Sequence, residues 1–185
     1  MAKLNVFNHV SLDGYFVDAK GDMSWAHRSD PEFDAFTSEN ARGGGGVMLF
    51  GRVTYQMMAA FWPTPMAAQQ MPEVAATMNS AQKVVFSRSL KKATWQNTTL
   101  IKRGLVPAVK KLKEESKKDL VIFGSGTIVA QLTQAGLVDR YQLIVNPLVL
   151  GKGRSLFEGV KGRVELTLND TRRFKNGNVL LTYSK

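Results

Sequence analysis

The chain has 185 residues, 44% hydrophobic and 22% charged, a balance typical of one folded domain and not of a disordered chain. It contains no Cys, which excludes disulfides and Cys-ligated metals, and no apolar run approaches the roughly 20 residues of a membrane-spanning helix. The formal net charge of +10 favours an anionic partner and leaves nucleic acid, a membrane face and a phosphorylated small molecule open.

The first part of the chain predicts one strand, a loop and one helix. Residues 3–10 are largely apolar and lead into a polar turn at residues 11–14, which indicates a strand and its end. Residues 18–29 are polar and contain Gly, which favours a loop. Asp30 then precedes Pro and Glu, the pattern of a helix N-terminus, and the glycines at 43–46 are expected to end this helix.

The middle of the chain continues with short apolar strands and helices. Residues 47–50 are fully apolar, which predicts a strand covered on both faces, and a helix is expected directly after Gly51. Residues 66–78 favour an irregular helix, because prolines lie in and before this segment. Residues 84–86 predict another buried strand, and residues 95–101 indicate a further short one.

The last part predicts further helices and strands and a terminal hairpin. In chain order we expect a helix at 107–117, a strand at 120–123, a helix at 126–135 with Ala135 facing inward, and a strand at 141–145. Residues 164–171 and 179–183 flank Asn176-Gly177, which predicts an antiparallel hairpin. The alternation predicts a single α/β domain over residues 1–185, with a mostly parallel central sheet, helices on both faces and a C-terminal hairpin.

Three predicted strand ends are candidate ligand sites. They carry the sequences Gly51-Arg52-Val53-Thr54, Ser87-Arg88-Ser89 and Gly124-Ser125-Gly126-Thr127. Ligands of open α/β sheets bind beyond the carboxyl ends of the strands, and helix N-termini with Gly, Ser, Thr or Arg favour phosphate. Each motif alone is equally compatible with a structural turn. The third motif also departs from the dinucleotide fingerprint, because Val129 stands where that fingerprint has its third Gly. Three such sites together favour an anionic ligand.

Several short motifs occur in order along the chain. They are Ser11-Leu12-Asp13-Gly14-Tyr15, Gly51-Arg52-x-Thr54-Tyr55, Phe123-Gly124-Ser125-Gly126-Thr127, Ala135-Gly136-Leu137-Val138-Asp139 and Pro147-Leu148-Val149-Leu150-Gly151 with Leu156-Phe157. Together they resemble the dihydrofolate-reductase-like family, and within it the C-terminal reductase domain of the bifunctional riboflavin-biosynthesis deaminase/reductase. The resemblance covers nearly the whole chain and implies a dihydrofolate-reductase-like fold without the zinc deaminase motif.

The resemblance implies NADPH as the cofactor. Arg52 and Thr54 would hold cofactor phosphates, and Ser87 with Arg88 would select the 2′-phosphate of NADP. The residues that it assigns to cofactor binding are Gly51, Arg52, Thr54, Tyr55, Ser87, Arg88, Gly124, Ser125, Gly126, Thr127 and Ile128. It also implies a cis peptide bond between Gly124 and Ser125.

The substrate and proton-donor residues are less sharply indicated. The resemblance places His9 and Phe16 beside the nicotinamide, and Trp25 is a candidate for stacking on a flat substrate ring. Asp13 and Asp34 are the candidate catalytic acids. Each has a structural alternative: a turn for Asp13, a solvated helix position for Asp34, and core packing for His9 and Trp25.

The implied activity is hydride transfer from NADPH to a small heterocyclic or phosphoribosyl substrate, as in the reduction of 5-amino-6-(5-phosphoribosylamino)uracil. The alternatives are dihydrofolate reduction, NADP binding without turnover, and a basic nucleic-acid-binding protein. Dihydrofolate reductases carry an acid shortly after a Pro-Trp, whereas Trp25 here follows Ser24. The basic residues are not interleaved with aromatic ones, which argues against nucleic acid, and 2 His with no Cys argue against a metal site.

Location and partners are expectations from the same residues. No apolar signal-peptide segment begins the chain, so we expect a cytoplasmic protein that binds neither membrane nor nucleic acid. The resemblance implies a homodimer. Residues 141–149 and 164–183 are expected to supply an apolar terminal sheet whose edge strand invites a partner.

Overall fold

A computed structural model of the chain describes residues 1–28, 30–43 and 46–185. The strands in these residues are β1 (Leu4–Ser11), β2 (Tyr15–Asp18), β3 (Val47–Gly51), β4 (Lys83–Phe86), β5 (Thr98–Ile101), β6 (Leu120–Phe123), β7 (Arg140–Asn146), β8 (Gly153–Ser155), β9 (Thr167–Arg173) and β10 (Val179–Ser184). The helices are α1 (Pro31–Gly43), α2 (Arg52–Phe61), α3 (Pro65–Gln70), α4 (Pro72–Ser80), α5 (Leu105–Glu115) and α6 (Gly126–Gln134), with a 3-10 turn at Ser24–Ala26.

Eight of these strands form one sheet in the order β5-β4-β3-β6-β1-β7-β10-β9. The strands from β5 to β7 run parallel, and β10 and β9 are antiparallel additions at one side. The predicted mostly parallel sheet with a C-terminal hairpin is therefore confirmed. β2 and β8 form a separate two-stranded ribbon.

Alternate residues along each strand supply two hydrophobic cores, one on each face of the sheet. On β3, Leu49 packs with Val109 of α5 and Ile128 of α6, on what we call the α6 face. Phe50, the next residue, packs with Tyr55 of α2 on the opposite face, which we call the α1 face because α1 also lies there. The helices on both faces follow from the fully apolar strands, which have no side for water.

Only one strand of the predicted apolar terminal sheet lies at an edge, and that strand is mostly polar. β7 lies inside the sheet, since it pairs with both β1 and β10. The edge strand is β9, and all seven of its residues are exposed and mostly polar, with Leu168 the large apolar one. A pairing surface at this edge would therefore rest on backbone hydrogen bonds more than on apolar burial.

The remaining departures from the predicted elements have local causes. β2 comes directly before the loop expected at 18–29 and shares residue 18 with it. The strand forms by pairing with β8, which lies far along the sequence. Ala135 is exposed, contrary to prediction, because α6 ends at Gln134 and the chain turns there. Of the other predicted loop positions, residues 29, 44 and 45 lie outside the described residues.

Lys83 is a buried lysine at the start of β4. Its side chain is 1% exposed, and its Nζ donates to the carbonyl oxygens of Ala81 at 2.7 Å and Met78 at 2.8 Å. The ammonium also lies 4.4 Å from the ring centre of Trp95. Burial lowers the pKa of Lys83 to about 8. The lysine thus supplies hydrogen-bond donors to the C-terminal end of α4, where carbonyls lack helical partners.

Candidate functional site

The candidate site lies where the connections leave the sheet on different faces. β6 leads into α6 on one face, whereas its neighbours β3 and β1 lead toward α2 and α1 on the other. Such a switch point opens a crevice beyond the carboxyl ends of the strands. Here the crevice is a cleft of about 660 Å³.

The cleft collects most of the residues predicted to bind cofactor. Its lining includes Gly51, Arg52, Thr54, Ser87, Arg88, Gly124, Ser125, Gly126, Thr127 and Ile128, and also Phe16. These residues come from four separate segments that the sequence keeps far apart. The parallel sheet brings them together because it places all its carboxyl ends at one edge.

The loop after β6 has a backbone conformation that its neighbours hold in place. Gly124 and Ser125 have φ of 55° and 58°, both left-handed, and the implied cis bond between them is wrong because their peptide is trans. A left-handed conformation is unfavourable for Ser, so it needs support. The Ser125 N–H donates to Thr54 Oγ1 at 3.1 Å, and its Oγ accepts from the Gly51 N–H at 2.9 Å. Asn8 Nδ2 of β1 donates to the Gly124 carbonyl oxygen at 3.1 Å.

Thr54 and Ser125 therefore join two of the sequence motifs to each other. The Thr54 hydroxyl is largely buried, and its oxygen is the acceptor that fixes the turn into α6. The family resemblance implied that Thr54 holds a cofactor phosphate. In the structure its evident task is to position the backbone N–H groups at the start of α6.

The charged side chains that line the cleft are all basic. Arg52, Arg88, Lys102, Arg103 and Arg154 line it, and among the described lining residues none is Asp or Glu. The N-terminal residues of three helices border it as well, at Arg52 of α2, Leu105 of α5 and Gly126 of α6. Basic side chains and the partial positive charge at a helix N-terminus both favour an anionic ligand.

Sequence reasoning missed Lys102 and Arg103 as site residues. They directly follow β5, so their signal was the same as that of Arg88 after β4: a basic residue just beyond an apolar strand. Arg154 belongs to none of the sequence motifs. It lies on β8, and its Nη2 is 3.4 Å from Thr127 Oγ1 at the start of α6.

Gly126 is packed against an aromatic ring. A Cβ built on it would lie 2.5 Å from Cε1 and 2.8 Å from Cζ of Phe16. Phe16 itself is buried in the core of the α6 face, and the Arg154 guanidinium lies 5.6 Å from its ring centre. The absence of a side chain at position 126 is therefore explained by Phe16, before any ligand is considered.

Tyr55 does not share the cleft with the other predicted cofactor residues. Its side chain is 2% exposed in the core of the α1 face, where its hydroxyl oxygen accepts from the backbone N–H of Trp95 at 2.9 Å. One helical step of about 100° separates it from Thr54 and turns it inward.

Asp13 lies in the turn after β1 and ties two loops together. Its carboxylate accepts from the Ser11 hydroxyl at 2.6 Å and from the backbone N–H groups of Leu150 and Gly151 at 3.1 and 2.8 Å. The Ser11 hydroxyl and these N–H groups lower the pKa of Asp13. An ionised carboxylate with three donors is suited to holding the loop and poorly suited to giving up a proton.

His9 lies on the α1 face of β1. Its ring packs edge-on against Phe33 at 5.7 Å and Phe7 at 6.3 Å between ring centres, and its Nδ1 is 3.3 Å from Asn146 Nδ2. Burial lowers the pKa of His9 to about 4, so the ring is neutral near pH 7.

Asp34 and Trp25 lie outside the cleft lining. Asp34 is exposed in the first turn of α1, where an acid complements the helix dipole. Trp25 is half-buried in the 3-10 turn, and its indole N–H donates to the Asp22 carbonyl oxygen at 3.1 Å. Their predicted roles in catalysis and substrate binding stay predictions.

Two further properties bear on the class of protein. Within residues 1–28, 30–43 and 46–185, no helix is long and apolar enough to cross a membrane. In the same part of the chain, no group of three or more His, Asp or Glu is placed to hold a metal ion. A cleft with basic side chains and converging helix N-termini, at the switch point of an open α/β sheet, is a place where such folds bind anionic ligands.

Comparison with known proteins gives the family. Residues 2–180 match the RibD C-terminal domain, and the chain belongs to that family. Over 176 residues it is 30% identical to the uncharacterized protein YyaP of Bacillus subtilis (strain 168), covering 94% of this chain and 90% of YyaP. The resemblance deduced from the motifs is thus confirmed.

Solved structures show the same fold. A pyrimidine reductase-like protein from Corynebacterium diphtheriae superposes with a TM-score of 0.68 at 13% identity, covering 99% of this chain and 91% of the other. RibD from Acinetobacter baumannii superposes with a TM-score of 0.70 at 15% identity, covering 100% of this chain but 58% of RibD. The dihydrofolate-reductase-like α/β architecture is therefore shared across distant sequences.

Proposed function

We propose that this protein is an NADPH-dependent reductase of the riboflavin-pathway type, which transfers hydride to a small heterocyclic or phosphoribosyl substrate. The observation that carries the proposal is the basic cleft. It runs past the ends of four neighbouring strands, from Lys102 after β5 to Gly124 after β6, with Phe16 of β2 beyond them. Three strand spacings amount to roughly 14 Å, which suits an extended dinucleotide better than a single phosphate.

The residues present fit such a cofactor. Arg52, Ser87 and Arg88 would hold the 2′-phosphate, with Lys102 and Arg103 adding positive charge at the same end of the cleft. The backbone N–H groups from Gly124 to Thr127 would hold the pyrophosphate at the start of α6. When bound, NADPH supplies the hydride, and the chain supplies orientation and a partly water-excluded surface.

The substrate would meet the nicotinamide near the end of β1. His9 and Phe16 lie on the two faces of this strand end, and Trp25 and Asp34 lie on the segments that follow. Arg154 beside Thr127 is suitably charged for a substrate phosphate. Because three donors hold Asp13 in its ionised form, we assign it to loop structure and leave Asp34 as the candidate acid.

Three alternatives remain to be tested against this proposal. Dihydrofolate reduction would need the acid that follows Pro-Trp in that enzyme, and Trp25 stands in a 3-10 turn without it. NADP binding without turnover uses the same cleft. A nucleic-acid partner is disfavoured because the basic residues are not interleaved with aromatic ones.

The test has two stages. Fluorescence titration should show tight binding of NADPH and weaker binding of NADH. A DNA duplex should associate only weakly, and this association should disappear as salt is added. Turnover of 5-amino-6-(5-phosphoribosylamino)uracil and of dihydrofolate is then followed by NADPH absorbance. Oxidation with dihydrofolate alone would overturn the riboflavin-type assignment, and binding without oxidation would make the protein a non-catalytic NADP binder.

A further inference from the structure

The hydrogen-bond ladder between β3 and β6 has a phase that can be followed to its last rung. The Val47 N–H, at the start of β3, donates to the Asp119 carbonyl oxygen at 2.9 Å. In a parallel ladder alternate residues of a strand bond to the same neighbouring strand. Four residues further along both strands, a continued ladder would therefore join the Gly51 N–H to the Phe123 carbonyl oxygen.

A serine hydroxyl occupies this last rung. The regular pairing of β3 with β6 ends at Leu49 and Ile122, one step before the rung would form. Beyond that point the Ser125 Oγ accepts from the Gly51 N–H at 2.9 Å and donates to the Phe123 carbonyl oxygen at 3.0 Å. The hydroxyl thus stands between the two backbone groups that would otherwise bond to each other.

The inserted hydroxyl separates the ends of the two strands. Two hydrogen bonds replace one, and a tetrahedral angle at the hydroxyl oxygen would put the backbone nitrogen and oxygen roughly 5 Å apart, about 2 Å more than in a direct bond. The helices that follow β3 and β6 lie on opposite faces of the sheet. The added width therefore falls at the switch point, where the crevice of such a sheet opens.

Serine is an unfavourable residue for the backbone at position 125. Its φ of 58° is left-handed, a conformation that glycine adopts without strain. The neighbouring Gly124 has no room for a side chain, because a Cβ there would lie 3.0 Å from Thr54 Cγ2. Ser125 is 8% exposed, so its hydroxyl serves the protein interior and not the solvent. The two bonds of this hydroxyl are what offsets the backbone strain.

We infer that Ser125 is a positioning residue whose hydroxyl holds the ends of β3 and β6 apart at the width that the ligand of the cleft requires. Resting on the proposed function, this ligand is NADPH, whose pyrophosphate would approach the start of α6 through the widened crevice. The proton of the hydroxyl is engaged by Phe123, so it is not offered to a phosphate oxygen. A gap that exists before binding spares the cofactor the cost of separating two strands.

The Ser125→Gly variant tests the spacer, because glycine keeps the left-handed backbone without strain. Without the hydroxyl, the Gly51 N–H should bond directly to the Phe123 carbonyl oxygen. NMR spectra of the full chain without cofactor should show the scalar coupling across this hydrogen bond, from the Gly51 nitrogen to the Phe123 carbonyl carbon, in the variant and not in the wild type. The coupling in the wild type, or its absence from the variant, would overturn the inference.

Cofactor binding supplies the functional measurement. Ser125→Gly should raise the Kd for NADPH roughly tenfold, whereas its urea midpoint should stay close to that of the wild type, because the direct rung and the relieved strain offset the lost hydroxyl. A merely structural serine would change the midpoint and not the Kd.

Ser116→Gly is the matched control for this titration. The Ser116 hydroxyl also bridges backbone groups, the N–H and carbonyl of Lys118, but it lies beyond the end of α5 and outside the cleft lining. Its Kd for NADPH should equal that of the wild type. A closed rung with unchanged NADPH affinity in Ser125→Gly would refute the positioning role. A wild type that binds no NADPH would refute the proposed function instead, and the coupling measurement would still decide whether Ser125 is a spacer.

Discussion

The contact between Gly126 and Phe16 allows a quantitative test of what this glycine does. In Gly126→Ala the new methyl group would lie 2.5 Å from Phe16 Cε1, roughly 1 Å short of ordinary van der Waals contact. The backbone at Gly126 is helical, so Ala is acceptable there and gains up to about 1 kcal/mol of helix propensity. Overpacking in a buried cluster costs about 1–3 kcal/mol, so we expect a net loss of stability.

The decisive quantity is the coupling between the two positions. Phe16→Leu removes the ring atoms that the methyl group would meet, so Gly126→Ala should be neutral or stabilising in that background. Urea unfolding of the wild type, both single variants and the double variant should give a coupling energy of about 1–3 kcal/mol. Gly51→Ala is the matched control, because its Cβ would make ordinary contacts of 3.6 Å across the same cleft.

Two outcomes would refute this reasoning. Additivity of the two substitutions within about 0.5 kcal/mol would mean that the ring and the glycine do not constrain each other. Unchanged stability with lost NADPH binding in Gly126→Ala would mean that the glycine serves ligand approach, as the sequence motif suggested.

The other predictions concern cofactor choice, pH, a buried cation and assembly. Arg88→Ala should weaken NADPH binding roughly tenfold to a hundredfold and leave NADH binding unchanged, and equal losses in titrations with both would contradict it. Because burial lowers the pKa of His9 from 6.5 to about 4, the unfolded chain binds this proton more readily, so stability should fall by up to about 3 kcal/mol between pH 6.5 and pH 4. Urea unfolding of His9→Gln should lack that part of the loss. Lys83→Met should cost about 2–3 kcal/mol by leaving buried carbonyls without donors, whereas exposed Lys110→Met should cost almost nothing in the same assay. Light scattering should show a homodimer that Leu168→Lys on the exposed edge strand weakens, and a monomeric wild type would count against it.

The sequence predicted the central strands of the sheet well because they are covered on both faces. The apolar segments that became β3, β4 and β6 needed no partner information to be recognised. By contrast, β2 and β8 are short and polar at their ends, and they pair across more than a hundred residues, which local patterns do not encode. Tyr55 was predicted to bind cofactor because it follows Thr54 in the motif. Adjacent residues of a helix face different directions, so Tyr55 lies in the core and not in the cleft.

Site residues without a motif were the hardest to predict. Lys102 and Arg103 look like any surface cations until β5 is placed beside β4 at the edge of the sheet. The pairing of His9 with Asn146 depends on β1 and β7 being neighbours, although 137 positions separate the two residues. Such contacts follow from topology, and topology follows from the whole sequence.

Residues of one motif form hydrogen bonds with residues of another motif. Asp13 joins the turn after β1 to the loop after β7, and Thr54 joins the start of α2 to the turn before α6. Motif residues of this kind determine the shape of the cleft, and they would do so for any substrate. Arg154 lies outside the motifs and lines the cleft, so it is a candidate for discrimination among substrates. We expect Arg154→Ala to weaken turnover of a phosphorylated substrate while leaving NADPH binding intact, and an unchanged substrate preference would contradict this.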